Sequence, residues 1–194
     1  INCYGFPIRE YDNEIPSDLT AEQIIVRSGN IGSVRIAQKV GPEKFKSFLE
    51  KIGVLSNIQF DIEEVAPQKN YNFGKCKLAT ASFGHGVATT ILQLAKGYAI
   101  LSNGGYDINP TLIDNNLEKK TKKKKLLNKG VSEQVVNALR KIVSTEVGTA
   151  KFADVEYFEI GGKTGTADQP KDGAYSEAKI NTFASIFPTS NPKY

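Results

Sequence analysis

Three short runs in this chain place hydroxyl, amide and amine groups where acyl-transfer chemistry could use them. Ser28-Gly29-Asn30 sits where one helical pattern stops and the next begins. Lys163-Thr164-Gly165-Thr166 follows a β-prone stretch, and Ser82-Phe83-Gly84-His85-Gly86 precedes a strong helical pattern. Acyl transfer needs an activated nucleophile, a proton shuttle and donors for a developing oxyanion. A substrate ending in a carboxylate needs a cation and hydroxyls to hold it. Serine-x-asparagine followed later by lysine-threonine-glycine forms two parts of a known three-part catalytic set. The third part, a serine-x-x-lysine nucleophile motif, should come first in the chain. No such motif occurs between Ile1 and Arg27. Ser176 to Lys179 and Ser190 to Lys193 match its spacing. The first falls in the polar stretch after the Lys163 run and the second contains Pro192, so neither is assigned.

Each motif alone also has a plain structural reading. Ser28-Gly29-Asn30 can be a helix break with a local cap, and Lys163-Thr164-Gly165 a strand entry with a solvated lysine. A phosphate loop is a third reading of Gly162-Lys163-Thr164. It requires a glycine five residues before Gly162, where Tyr157 stands, and a helix next, where Pro170 intervenes. His85, the only histidine, is read as a packing or turn residue between two glycines. Glu63 and Glu64 are adjacent, face apart on an extended chain and read as solvated. The run Lys119 to Lys125 lacks interleaved aromatics and reads as a mobile surface loop, so no nucleic-acid partner is expected. Cys3 and Cys76 have neither metal nor redox spacing. Free thiols are the plainer expectation, and one disulfide in an oxidising compartment is the alternative, since pairing depends on a Cα separation that sequence does not give. No metal or organic cofactor is implied.

The elements that must position these groups can be read from periodicity. Thr20, with Gln23 at the capping-box offset, starts a helix that breaks at Ser28-Gly29-Asn30. A second helix carries Ile31, Val34 and Ile36 and ends near Gly41-Pro42. Phe45, Phe48, Leu49 and Ile52 repeat at helical spacing up to Gly53. Residues 54–80 look irregular. Thr90 to Leu101 is a strong helix closed by Asn103-Gly104-Gly105, and Pro110 to Ile113 is extended. Ser132 is expected to cap a helix through Val143. Tyr157 to Ile160 starts a strand that runs into the Lys163 motif, and Asp168 to Lys179 reads as a polar loop. Ile180 to Phe187 is a second strand, followed by a turn at Pro188 to Pro192. Helices first and strands last, the strands antiparallel, favour an α+β fold over a wound parallel sheet.

With 194 residues, 40% apolar and 24% charged, the chain can bury a core without covalent staples. Its net charge of +4 is too small to argue for a polyanionic partner. No apolar run reaches the roughly 18 to 20 residues needed to span a bilayer. The stretch Ala88 to Leu101 is interrupted by Thr89, Gln93, Lys96 and Gly97 and reads as a buried helix. The chain opens at Ile1, contains no methionine and stops after a lone strand. It is therefore expected to be a piece truncated at both ends.

The surroundings of the motifs make the pattern specific. Ser82-Phe83-Gly84-His85-Gly86, then Leu92-Gln93-Leu94-Ala95 and Asn103-Gly104-Gly105, resemble the signature region of class B penicillin-binding proteins. So do Gly148-Thr149-Ala150 before Gly161 to Ala167, and Phe187-Pro188 with Asn191 to Tyr194. The resemblance spans nearly all of residues 1–194, and within the class it is most similar to the septal, cell-division type of alphaproteobacteria, with the elongation type next. It implies a penicillin-binding, serine β-lactamase-like fold: a helical lobe over 20–147 and sheet strands within 157–194. It also implies a D,D-transpeptidase that cross-links peptidoglycan stem peptides ending in D-Ala-D-Ala. Ser28 would relay protons to the leaving amine, and Asn30 would hold the stem-peptide amide and the catalytic lysine. Lys163 would supply positive charge. Thr164 and Thr166 would bind the substrate or β-lactam carboxylate, with the Thr166 N–H as an oxyanion donor. Gly165 would let substrate backbone lie close.

The implied partners are the stem peptide, β-lactam antibiotics and cell-division proteins. The implied location is the periplasmic face of the inner membrane, reached through an anchor upstream of Ile1. By this resemblance these residues alone are inactive, because the nucleophile segment is missing. A non-catalytic interaction module, and a β-lactamase or carboxypeptidase of the same fold, remain the alternatives.

Overall fold

A computed structural model describes residues 1–3, 5–62, 71–114, 123–171 and 174–194. Glu63, Glu64 and the first part of the lysine run lie outside them. The described chain divides into two compact units, each built from separated stretches of sequence. One comprises residues 1–42, 73–87 and 137–194, and the other residues 43–72 and 88–136.

The first unit opens with a two-residue hairpin, β1 (Asn2–Cys3) and β2 (Phe6–Pro7). Helix α1 (Ala21–Val26) begins at Thr20, whose hydroxyl accepts from Gln23 N while the Gln23 side chain returns to Thr20 N. Helix α2 (Asn30–Val40) follows at once. The two helices lie so close that a Cβ on Gly32 would sit 2.6 Å from the Ile24 side chain, which only glycine permits. Val34 and Ala37 form the buried face of α2, whereas Ile36, expected beside Val34, is 37% exposed. Cys3, Val34 and Ala79 make a small core against which Ile8 and Phe83 pack.

The second unit begins with α3 (Pro42–Lys51), which ends before Gly53 at positive φ. Helix α4 (Lys75–Ala81) belongs to the first unit, and α5 (Ile91–Ser102) has a second capping box, between Thr90 and Gln93. Ile52, Ile100 and Leu126 form the core of this unit. Leu112 and Ile113 form a bend, not an extended segment, because Asp61 accepts from the Thr111 hydroxyl and the Leu112 N–H. The end of the lysine run is not loose either. Asp107 N donates to Lys124 O, and Tyr106 bridges to Lys125.

Several expectations need correcting. Residues 54–80 are not wholly irregular, since α4 spans Lys75–Ala81 and buries Leu78 and Ala79. Cys3 and Cys76 are not free; they form a disulfide with Cα atoms 5.3 Å apart, within the usual range. Helix α6 (Lys129–Ser144) starts three residues before Ser132, and Asn128 caps it by accepting from Gly130 N. Ser132 is instead buried, donating to Leu101 O at 2.6 Å and accepting from Gly104 N at 3.1 Å.

The remaining corrections concern the sheet. Glu156 and Tyr157 form a turn closed by a bridge between Val155 and Phe158, with Tyr157 at φ 68°, and strand β3 begins only at Gly161. The expected polar loop Asp168 to Lys179 is an extension of a long hairpin. β3 (Gly161–Lys171) pairs antiparallel with β4 (Ala174–Ile186), with a register shift after Asp168. Backbone bonds between Phe187 and Tyr194 then close the turn at Pro188 to Pro192. The architecture is α+β, with helices and an antiparallel sheet.

Candidate active site

All six residues singled out as catalytic or substrate-binding lie in the first unit. The site grows from the junction of α1 and α2. Arg27 is the C-cap of α1. Ser28 N donates to Ile25 O at 3.1 Å and Gly29 N to Ile24 O at 2.9 Å. This pair of bonds is a Schellman motif, which needs a left-handed residue just past the cap. Glycine usually takes that place. Here Ser28 does, at φ 55°, at a cost of roughly 1–2 kcal/mol for its Cβ.

Lys163 is what this strained turn reaches. Its Nζ donates to Ser28 Oγ at 2.7 Å and to Thr164 O at 2.8 Å. A separation of 135 residues is thus closed by one side-chain hydrogen bond. Burial pushes the Lys163 ammonium pKa down from 10.5 to about 8. It therefore stays mostly protonated at neutral pH yet can give up its proton at little cost. With Ser28 Oγ accepting from the ammonium, the Ser28 hydroxyl proton is free to be given to another group.

The strand sorts the other candidates by parity. Lys163 and Gly165 pair across the sheet with Ala184 and Thr182, while Thr164 and Thr166 pair with Phe183 and Asn181. Successive side chains leave a strand on opposite faces, so the lysine and the threonines flank the strand. The Thr164 hydroxyl donates to Thr149 Oγ1 at 2.9 Å, and the Thr166 hydroxyl to Asn181 Oδ1 at 3.1 Å. A Cβ on Gly165 would meet Thr182 Oγ1 at 2.6 Å, so a cross-strand neighbour already requires glycine there. Among the described residues β3 pairs only with β4, which leaves its other edge able to take a further strand.

Asn30 is held from a different direction. Its side-chain Nδ2 donates to Arg9 O at 3.0 Å, and its backbone N–H to Glu10 Oε2 at 2.5 Å. Ser28 and Asn30 thus share one turn, but only Ser28 bonds to Lys163. His85 N–H donates to Thr80 O, and its ring lies tilted on Phe83 with centroids 5.3 Å apart. Sequence reasoning assigned no role to Glu10, Asn181 or Thr149. Thr149 stood out only as part of a resemblance, and Glu10 carried no local signal.

Among the described residues no cluster of three or more His, Cys, Asp or Glu side chains could hold a metal ion. The groups present can donate and accept protons and bind an anion. Of the serine-x-x-lysine pair at 176 and 179, Ser176 donates to Gln169 O and Lys179 to Asp168.

Comparison with known proteins gives one consistent result. The family profile described as penicillin binding protein transpeptidase domain matches residues 3–194. A peptidoglycan D,D-transpeptidase FtsI homolog of Mesostigma viride is 32% identical over 206 residues, covering 92% of this chain and 34% of that protein. The probable peptidoglycan D,D-transpeptidase FtsI of Caulobacter vibrioides is 27% identical, covering 90% and 30%. The chain spans about a third of the length of the curated relatives it matches. Among solved structures, the transpeptidase domain of Burkholderia pseudomallei penicillin-binding protein 3 superposes with a TM-score of 0.80 at 26% identity. That match covers 90% of this chain and 54% of the other. Penicillin binding protein 3 of Mycobacterium tuberculosis in complex with aztreonam gives 0.83 at 24% identity, covering 97% and 46%.

Proposed function

Because the chain belongs to the penicillin-binding protein transpeptidase domain family, we propose that it supplies the proton relay and substrate carboxylate site of a peptidoglycan D,D-transpeptidase. The observation that carries this reading is the 2.7 Å bond from Lys163 Nζ to Ser28 Oγ, which joins two motifs from distant parts of the chain. The nucleophilic serine comes from polypeptide outside residues 1–194, since no serine-x-x-lysine precedes Ser28. That serine attacks the carbonyl of the penultimate D-alanine, and the bond to the terminal D-alanine breaks. The proton that this serine loses reaches the leaving amine through Ser28, and Lys163 holds Ser28 Oγ in place. The amine of a neighbouring stem peptide then attacks the acyl-enzyme, and the serine is regenerated.

The carboxylate of the terminal D-alanine lies against the Thr164 and Thr166 hydroxyls, with the Lys163 charge on the other face of the strand. For that, each hydroxyl must turn from its present acceptor, Thr149 or Asn181, toward the ligand. The unpaired edge of β3 takes the stem peptide as an added strand, and the Thr166 N–H joins the oxyanion hole. Asn30 holds the stem-peptide amide. The same contacts bind β-lactams, in keeping with the aztreonam complex of the related penicillin binding protein 3. The names of the relatives favour septal synthesis. Cell-division proteins are the expected partners, on the periplasmic face of the inner membrane, with an anchor elsewhere in the polypeptide.

The test is product analysis. The full-length protein, given a pentapeptide stem ending in D-Ala-D-Ala and an amine acceptor, should release D-alanine and form the cross-linked dimer. Ser28→Ala and Lys163→Ala should form neither at a comparable rate. Equal turnover in both variants would refute the assignment of the relay.

A further inference from the structure

The turn that carries Ser28 is held on both sides by one segment from near the start of the chain. On the downstream side, α2 has Gly29 as N-cap, which has no side chain to accept from the first helical N–H groups. Those groups are orphans unless something else accepts from them. Glu10 does so with both oxygens: Oε2 takes Asn30 N at 2.5 Å and Oε1 takes Ile31 N at 3.0 Å. A carboxylate at a helix N-terminus combines charged hydrogen bonds with a favourable dipole. The carbonyl of the preceding residue, Arg9, fixes the Asn30 side chain through Nδ2 at 3.0 Å.

On the upstream side, α1 ends with the carbonyl of Arg27. The next residue, Tyr11, donates its hydroxyl to that carbonyl at 2.9 Å. Arg27 in turn donates from Nη2 to Glu14 O at 3.2 Å. Three consecutive residues therefore grip both helix ends that flank Ser28. The segment itself is anchored, since Ile8 N donates to Ile1 O at 2.7 Å and Ile8 packs on the Cys3, Val34 and Ala79 core. The disulfide ties Cys3 to α4, which carries Ala79.

A left-handed serine persists only where its surroundings over-determine it. Loss of the grip on either side would let the turn relax toward a commoner conformation. Ser28 Oγ would then move off Lys163 Nζ, and a displacement of about 1 Å at such a group is enough to cost on the order of 100-fold in rate. We propose that Glu10, with Tyr11 beside it, is a positioning residue for the acyl-transfer site: it clamps the α1–α2 turn so that the Ser28 hydroxyl and the Asn30 amide stay in place. The proposal rests on the transpeptidase reading above.

The test measures the rate constant for acylation of the full-length protein by benzylpenicillin, followed by intact mass. Glu10→Gln keeps the shape but removes the charge and one acceptor, and should lower the rate at least tenfold. Tyr11→Phe deletes one hydroxyl on a half-exposed segment and should lower it about threefold. In a Ser28→Ala/Asn30→Ala background, Glu10→Gln should change the rate by less than twofold, because the residues through which it acts are gone. A purely structural role would retain its full cost there. Wild-type rates in Glu10→Gln and Tyr11→Phe overturn the proposal, as does an undiminished Glu10 effect in the double background. If Glu10→Gln does not fold, the rate of Tyr11→Phe decides. A wild-type rate in Lys163→Ala overturns the transpeptidase reading itself, and the proposal with it.

Discussion

Replacing Ser28 by alanine and by glycine separates the strain at this position from its chemistry. Both variants lose the oxygen that accepts from Lys163 Nζ at 2.7 Å, so the energetic loss of that bond is common to them. They differ in the Cβ that Ser28 holds at φ 55°. Alanine keeps the roughly 1–2 kcal/mol cost of a left-handed residue. Glycine removes it but gains about 0.4–1 kcal/mol of extra freedom in the unfolded chain. The net expectation is that Ser28→Gly is more stable than Ser28→Ala by about 1 kcal/mol, or about 2–4 °C in a protein of this size. Urea and thermal denaturation of the two variants measure the difference. Acylation by a β-lactam should be slowed in both to a similar extent, because neither can relay a proton. Equal stability, or a more stable alanine variant, would show that the turn is not strained as described. Fast acylation in either variant would show that the hydroxyl is not the relay.

Lys163 gives a pH signature. Its folded pKa of about 8 lies below the ordinary 10.5, so between those values the unfolded chain binds more protons and stability rises with pH. The rise is at most about 3 kcal/mol, and screening of a partly exposed group reduces it to roughly 1–2 kcal/mol. Lys163→Met should flatten the difference between pH 8 and 10 in denaturant titrations, and an unchanged slope would contradict the burial argument. Tyr98 works the other way above pH 10, since burial pushes its hydroxyl up to about 12 and stability should fall as unfolded tyrosine ionises. Tyr98→Phe should reduce that fall when the titration is carried above pH 10, leaving the smaller part due to Tyr11, whose hydroxyl burial also pushes up. Reducing the Cys3–Cys76 bond, whose partners are 73 residues apart, should destabilise the protein by about 2–4 kcal/mol; equal melting temperatures with and without reductant would count against a constraining crosslink. Ser132→Ala should cost about 1–3 kcal/mol by leaving Leu101 O and Gly104 N without their buried partner, which calorimetry can check.

What the sequence made legible was local. The capping box read at Thr20 needs only a hydroxyl and a glutamine three residues later, and it formed; the same spacing at Thr90 and Gln93 formed a second. The Ser28 break announced itself through turn chemistry, whereas the β-prone run Tyr157 to Ile160 that pointed to the Lys163 strand lies before it and is not part of it. Helix α4 was missed because seven residues with two lysines give too short a window for a 3.6-residue period. The outer hairpin was missed for a different reason. Glu177 to Lys179 is exposed, so no apolar alternation extends the strand read from Ile180 back into it. Ser132 was taken for a cap because its type fits one, yet its partners are 28 and 31 residues away. The same limit hid Glu10 beneath Asn30, Thr149 beneath Thr164 and the pairing of Cys3 with Cys76. Each contact is fixed by how elements pack, and no spacing rule along the chain encodes it.

If Lys163 serves acyl transfer through Ser28, removing it must slow the acylation of the full-length protein by benzylpenicillin, followed by intact mass in wild type and Lys163→Ala. The account predicts a rate reduced by roughly 100-fold or more, the usual effect of removing a group aimed at developing charge, with the adduct on a serine outside residues 1–194. A Lys163→Ala rate within threefold of wild type, or an adduct mapped to Ser28, would contradict it.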